Sequence, residues 1–469
     1  TIDVKVKASY EKARKSYEEK SASYGYQPDQ FAYHSLKEAL DAKPGDALYD
    51  RLITRDSEYE STEQQQRGLN ISYIWKHFIG KKGSFALQGF TNLSGTNEDT
   101  HTNRDVEYLR EQHNETLWQF YDRSAHELET QLGASFDYWL GKKVYFNVFD
   151  NVRLNRSRIA RNFFSDTDEQ NVANGTPTTA DPANTTRRLT HKWTNELTVK
   201  STITPVKALM IMPMFKWNYS REKADFHYGP LDTTAVRTSN TYEPSIFLKW
   251  KMSRVRNMDL AFAYNTTVPD LVSTLGYRNT IDPLHIYMGN PLLRNSHSHT
   301  TTYNYHRMWL RKQIVLGFTA SYNKDINPEA TLYSYNSATG VYTSKPMNVK
   351  GGDMWKFAFN YDQGIGFYFR LMNKFALETA KSYGFLTIVD NNAADAQPEL
   401  NKQKRLGINN EFEFSYETEK LQLTLFDRLE SNRYRYDDAS YNTTPLFNSV
   451  GISANLHFAP FEVFVQLSD

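Results

Sequence analysis

His297 and His299 stand two apart in NSHSHTTTYNYH, residues 295–306. On a strand that spacing puts both imidazoles on one face, and imidazole is a common metal ligand. His306 has the opposite parity, and no adjacent carboxylate or cysteine completes a ligand set. A polar lumen or loop face is the plainer role. Glu411 and Glu413 alternate with Phe412 and Phe414. Two carboxylates on one face can do general acid–base work, and the same pattern describes the wet side of a sheet. YSYNSATGVY (333–342) and NRYRYDDASY (432–441) set tyrosines beside Asn, Asp and Arg. Such surfaces stack on sugars or grip peptides, and they also order long loops. No phosphate loop, nucleophile elbow, zinc-protease helix or cofactor motif occurs. No catalytic residue is assigned, and the chain reads as a protein that is not an enzyme.

The elements that carry these groups alternate with period two. Leu69, Ile71, Tyr73 and Trp75 share a face. So do Phe136, Tyr138 and Leu140, then, after Gly141-Lys142-Lys143, Val144, Phe146 and Val148. Such segments run roughly 9–15 residues, where a tilted strand needs about 9–11 to cross a bilayer. Tight turns alternate with long polar excursions at about 11–68, 95–126, 156–188, 221–240, 267–296, 326–349, 380–401 and 434–445. That asymmetry marks a membrane barrel with short turns on the periplasmic side and long loops outside. Trp139, Trp250 and Trp309 lie beside the tight turns and read as an interfacial belt.

Composition agrees. Of 469 residues only 39% are hydrophobic, and 14% are aromatic. Mean hydropathy is −0.67. A barrel buries only alternate residues in lipid, so it stays polar on average. The net charge of +1 gives no nucleic-acid surface, and the absence of cysteine suits an oxidising periplasm. The expected fold is all-β: a transmembrane antiparallel β-barrel with about 17 strands visible, 1–469 forming one domain, incomplete at both ends. Residues 11–68 are expected to be a long extracellular loop, with a short helix in PDQFAYHSLKEALDAKPG.

Residues 264–310 read YNTTVPDLVSTLGYRNTIDPLHIYMGNPLLRNSHSHTTTYNYHRMWL. This stretch resembles the barrel of TonB-dependent outer-membrane receptors, in the form common among Bacteroidota. The matching residues are Pro269, Asp282, Pro283, Gly289, Asn290, Pro291, Leu293, Ser296 and His297, with Arg294-Asn295 where the family has Lys-Pro. The resemblance implies an outer-membrane location, a 22-stranded barrel and an N-terminal plug. It also implies import driven by TonB of a large nutrient: a glycan, peptide, siderophore or cobalamin. Its partners would be the lipid bilayer and TonB. The alternative is a non-transporting barrel that scaffolds surface lipoproteins.

Overall fold

The computed structural model describes residues 2–24, 36–336, 339–385, 388–389, 399–437, 439, 442–458 and 461–468. Seventeen long strands form one sheet. They are β1 (Ile2–Tyr24), β2 (Leu52–Ile79), β3 (Gly83–Tyr108), β4 (His113–Leu140), β5 (Val144–Asp166) and β6 (Thr186–Val206). Next come β7 (Leu209–Tyr228), β8 (Leu231–Ser253), β9 (Arg256–Thr267), β10 (Ser296–Trp309), β11 (Ile314–Ile326) and β12 (Asp353–Ile365). The last five are β13 (Phe369–Phe385), β14 (Leu400–Glu417), β15 (Leu421–Tyr436), β16 (Leu446–Phe458) and β17 (Phe461–Ser468). Sequence neighbours pair antiparallel throughout, so the sheet is an up-and-down meander. This is the barrel wall that the alternation predicts. Among the described residues no helix is long and apolar enough to cross a membrane.

The two faces of the wall differ as the parity requires. Around the β4–β5 hairpin, Phe136, Tyr138, Leu140, Val144, Phe146 and Val148 share the outward face. Gly141 turns the chain with φ +73°, a region that favours glycine. On the other face Asp137 accepts from Asn147 Nδ2 at 2.8 Å, from Tyr145 Oη, and from Ser84 Oγ at 3.3 Å. The apolar outward run on β5, Val144 to Leu154, rises about 25 Å at the usual tilt, the height of a membrane barrel's apolar band. One acid interrupts it. Asp150 has the outward parity, and it accepts from Asn195 Nδ2 at 2.8 Å.

Four expectations need correction. Trp139 pairs with Tyr145 on the parity of Asp137 and Asn147, and their rings meet at 5.0 Å. That pair therefore belongs to the inner face, not to the lipid belt; Trp250 and Trp309 keep the outward parity. Second, 11–68 is not one loop. β1 and β2 stay paired up to Tyr24 and Leu52, leaving only 25–51 as the connection. The short helix lies in it, at Leu36–Asp41, and Arg55 Nε fixes it to β2 by donating to Ala39 O at 3.0 Å. Residues 25–35, with Pro28 and Phe31, lie outside the described residues.

Third, the excursions 95–126 and 221–240 are hairpins. β3 and β4 run on to Tyr108 and His113, and β7 and β8 to Tyr228 and Leu231. Fourth, the strands are longer than expected: β2 and β4 each have 28 residues. A tilted strand of that length rises roughly 70 Å, so more than half stands above the bilayer. There both faces meet water or other protein, and apolar alternation is no longer required.

Candidate functional site

The upper inner wall carries cross-strand ladders of opposite charge. Arg153 Nε meets Glu129 at 3.4 Å, and Arg237 Nη2 meets Glu222 at 3.1 Å. Lys216 Nζ lies between Glu196 at 3.1 Å and Glu243 at 3.6 Å. All of these groups but Lys216 line a cavity of about 590 Å³ between β4 and β9, roofed by Val268, Pro269 and Asp270. Two polar atoms at its lining have no hydrogen-bond partner among the described residues: Asn151 Oδ1 and Arg237 Nη1. Asn151 is only 6% exposed. Leaving such an atom unmet costs about 1–3 kcal/mol, and a polar guest would remove that cost.

The roof is the connection 268–295. It joins a small sheet built from several loops: His285–Met288 pairs parallel with Tyr342–Asn348, which pairs antiparallel with Glu329–Tyr335. The residues of the recognised motif hold this layer together. Gly289 N donates to Tyr277 O at 2.9 Å, and Asn290 N to Ser273 O at 2.7 Å. A Cβ on Gly289 would lie 1.8 Å from Leu275 O, so only glycine fits. Asn290 is 5% exposed, and its Nδ2 donates to Pro346 O at 2.8 Å. Pro291 stands inside the turn that Leu293 N closes onto Asn290 O at 3.2 Å. Arg294 N donates to Asn348 Oδ1 at 2.7 Å, so backbone alone serves that position. The motif is architecture: it seats the roof.

A latch joins the roof to distant wall strands. Arg104 on β3 is 4% exposed. Its Nε and Nη2 donate to the two Asp56 oxygens at 2.9 and 2.6 Å, and its Nη1 donates to Asp282 at 2.6 Å. Gln119 Nε2 on β4 donates to Ile281 O at 2.9 Å. Six strands separate β3 from β10 in the meander, so the connection spans from one part of the wall to another across the mouth. Glu58, 3.6 Å from Arg104, completes the charged cluster.

His285 Nδ1 lies 2.8 Å from Asp282 Oδ2. That hydrogen bond raises the His285 pKa against the opposing effect of burial. Burial pushes the Asp282 carboxyl up, but the His285 bond and the Arg104 charge outweigh it and hold it below its usual range. The raised histidine contributes stability fully below about pH 6.5 and loses it as pH climbs through the folded value. The depressed carboxyl contributes above about pH 3.9 and loses it as pH falls through its folded value. The roof is therefore held best between those limits. The protection of residues 268–295 from hydrogen exchange, relative to an unstructured peptide of the same sequence at the same pH, should be greater at pH 6 than at pH 9; equal protection would show that His285 has no part in the latch.

The other residues singled out from sequence go elsewhere. His297 and His299 face outward beside Tyr264 and Phe262, not into the lumen. His297 Nδ1 is 3.0 Å from Thr266 Oγ1. Among the described residues no three or more His, Cys, Asp or Glu gather as a metal site. Ser296 opens β10 opposite Thr267. Glu411 lies on the inner face and pairs with Lys374 at 3.1 Å. Tyr335 and Tyr342 pack on each other at 4.4 Å, and Tyr342 stacks on His285, while Tyr333 stays exposed. Tyr434 lies under the Arg405 guanidinium. Residues 337–338, 438 and 440–441 of the two tyrosine loops lie outside the described residues. The wall cavity was missed from sequence, because its lining takes one to four side chains from each of six successive strands, and which of them meet is set by register and curvature.

The model of the outer membrane protein beta-barrel family matches residues 218–446, from the middle of β7 to the start of β16. The matched span includes the roof and its glycine–asparagine–proline turn. The chain is an outer-membrane β-barrel. Its extracellular end is the roofed one. None of the curated proteins searched matches its sequence. Among solved structures, the siderophore receptor PirA from Pseudomonas aeruginosa is 11% identical over 89% of this chain and 70% of its own, with a TM-score of 0.42. The alcaligin receptor FauA from Bordetella pertussis is 8% identical over 99% of this barrel and 73% of its own chain, with a TM-score of 0.35. The copper transporter OprC is 8% identical over 87% and 68%, with a TM-score of 0.46.

Proposed function

We propose that this barrel imports a large, polar, nearly neutral nutrient across the outer membrane, driven by TonB. The observation that supports this is the roofed cavity with unmet polar atoms on its wall. Its lining holds Glu129, Glu196, Glu222, Glu243 and Asp270 against Arg153, Lys192 and Arg237. Lys216 and Arg188 add two more partners, for Glu196 and Asp270. Five acids thus face five bases. Such a wall has no strong preference for an anion or a cation. Its Asn, Ser and Thr groups suit a ligand rich in hydroxyls or amides, so an oligosaccharide or peptide fits better than a highly charged chelate. The barrel carries no chemistry in this reading; it binds and passes the ligand.

The test is accumulation of labelled probes by cells carrying this protein as sole receptor. The probes are an oligosaccharide, a peptide, a ferric siderophore and cobalamin. The expected result is uptake of the oligosaccharide or the peptide, lost without TonB. Arg237→Leu should cut it about tenfold, the value of one lost charge-assisted hydrogen bond, with the barrel still folded. If no probe enters and surface lipoproteins co-purify in fixed ratio, import fails and the scaffold role replaces it.

A further inference from the structure

The outward face of the wall changes character abruptly above its apolar band. On β2, Leu69 gives way to Arg67; on β4, Leu128 gives way to His126; on β5, Leu154 gives way to Arg156 and Arg158. These side chains share one parity and one level. They surround a groove of about 740 Å³ on the outer surface, floored by Leu69, Leu93 and Leu128. Gly95 lies between Arg67 and His126 in the register, so the wall is concave there. Arg67, Arg156 and Arg158 are exposed, and none has an ion-pair partner among the described residues. The acid at the groove, Glu127, has the inward parity of its strand neighbour Ser157 and accepts from Asn155 Nδ2 at 2.8 Å.

We propose that this groove binds an acylated, phosphate-bearing lipid of the outer leaflet. Neighbouring strands lie about 4.8 Å apart, so guanidinium groups on β2 and β5 flank a space of headgroup width. Arginine's planar donor fork matches phosphate oxygens. The leucine floor continues the apolar band at the depth where acyl chains begin, and an acyl chain covers it. A free phosphate would leave that floor uncovered. The row continues on β7, where Arg221 and Lys223 have the same outward parity.

Native mass spectrometry of the full chain in a neutral detergent tests this. The probes are an acylated, bis-phosphorylated glucosamine lipid, its dephosphorylated form, and inorganic phosphate in millimolar excess. The protein should retain the phosphorylated lipid, and inorganic phosphate should not displace it. Arg156→Gln with Arg158→Gln should weaken retention about tenfold or more, and so should removal of the lipid's phosphates. Arg67→Gln serves if the double variant fails to fold, as judged by heat-modifiable mobility. Lys356→Gln, on the inner face, should retain lipid like the unaltered protein. Equal retention by the arginine variants, equal retention of the dephosphorylated lipid, displacement by phosphate, or an equal loss in Lys356→Gln would each overturn the proposal.

Discussion

Replacing Val148 by arginine should destabilise the folded barrel in bilayers by about 2–4 kcal/mol, the cost of a charge near the midplane of a barrel's lipid face. Val148 stands outward between Phe136 and Val199, about 10 Å above the turn by strand rise. Phe146, two residues closer to the turn, should cost less, toward about 1 kcal/mol as the site nears the interface. The control lies between them. Asn147 has the inward parity and already donates to Asp137. Arginine there should fold with little loss. Folding into lipid vesicles, read by heat-modifiable mobility across a urea series, measures all three. If Val148→Arg and Asn147→Arg behave alike, the assignment of lipid and lumen faces is wrong. Asp150 shows that the outward band tolerates an acid when a neighbour shares its load.

Arg104→Ala should open the roof. The guanidinium is nearly fully buried and satisfies Asp56 bidentately and Asp282 once. Removing it leaves two carboxylates facing each other with Glu58 nearby. Breaking a buried ion pair by deleting one partner costs about 3–5 kcal/mol, most of it from the charge left behind. That loss falls on the extracellular layer and not on the membrane band, because the wall strands keep their ladders. The expected outcome is fast hydrogen exchange and proteolysis within residues 268–295, with heat-modifiable mobility unchanged. Arg104→Lys should restore little, since an ammonium cannot span both oxygens of Asp56 and reach Asp282. A roof as protected as before in Arg104→Ala would show that the cluster is not what holds it.

The two outcomes follow from different parts of the sequence. The alternation of Phe136, Tyr138, Leu140, Val144, Phe146 and Val148 is a local property of the chain. Lipid on one side and water on the other demand it of any strand that crosses the membrane. It determined the strand number, the side of each turn and the lipid-facing residues before any contact was known. The same rule failed at 95–126 and 221–240, because hairpins that rise above the bilayer have no dry side. Their pairing is written in backbone hydrogen bonds, which leave no hydropathy signal. It failed for Trp139 too, where nearness to a turn was read without parity.

The glycine–asparagine–proline turn was legible as a motif, but its work was not. Gly289 is required by a carbonyl fourteen residues away, and Asn290 by one in a different loop. The latch joins Asp56, Arg104 and Asp282 across 178 residues of chain between its last two members. The sequence by itself determined a membrane wall, since each strand's two environments are fixed by its own residues. Only the tertiary structure decided the roof, the cavity and the groove, because each is made by side chains that curvature and register bring together from strands the sequence keeps apart.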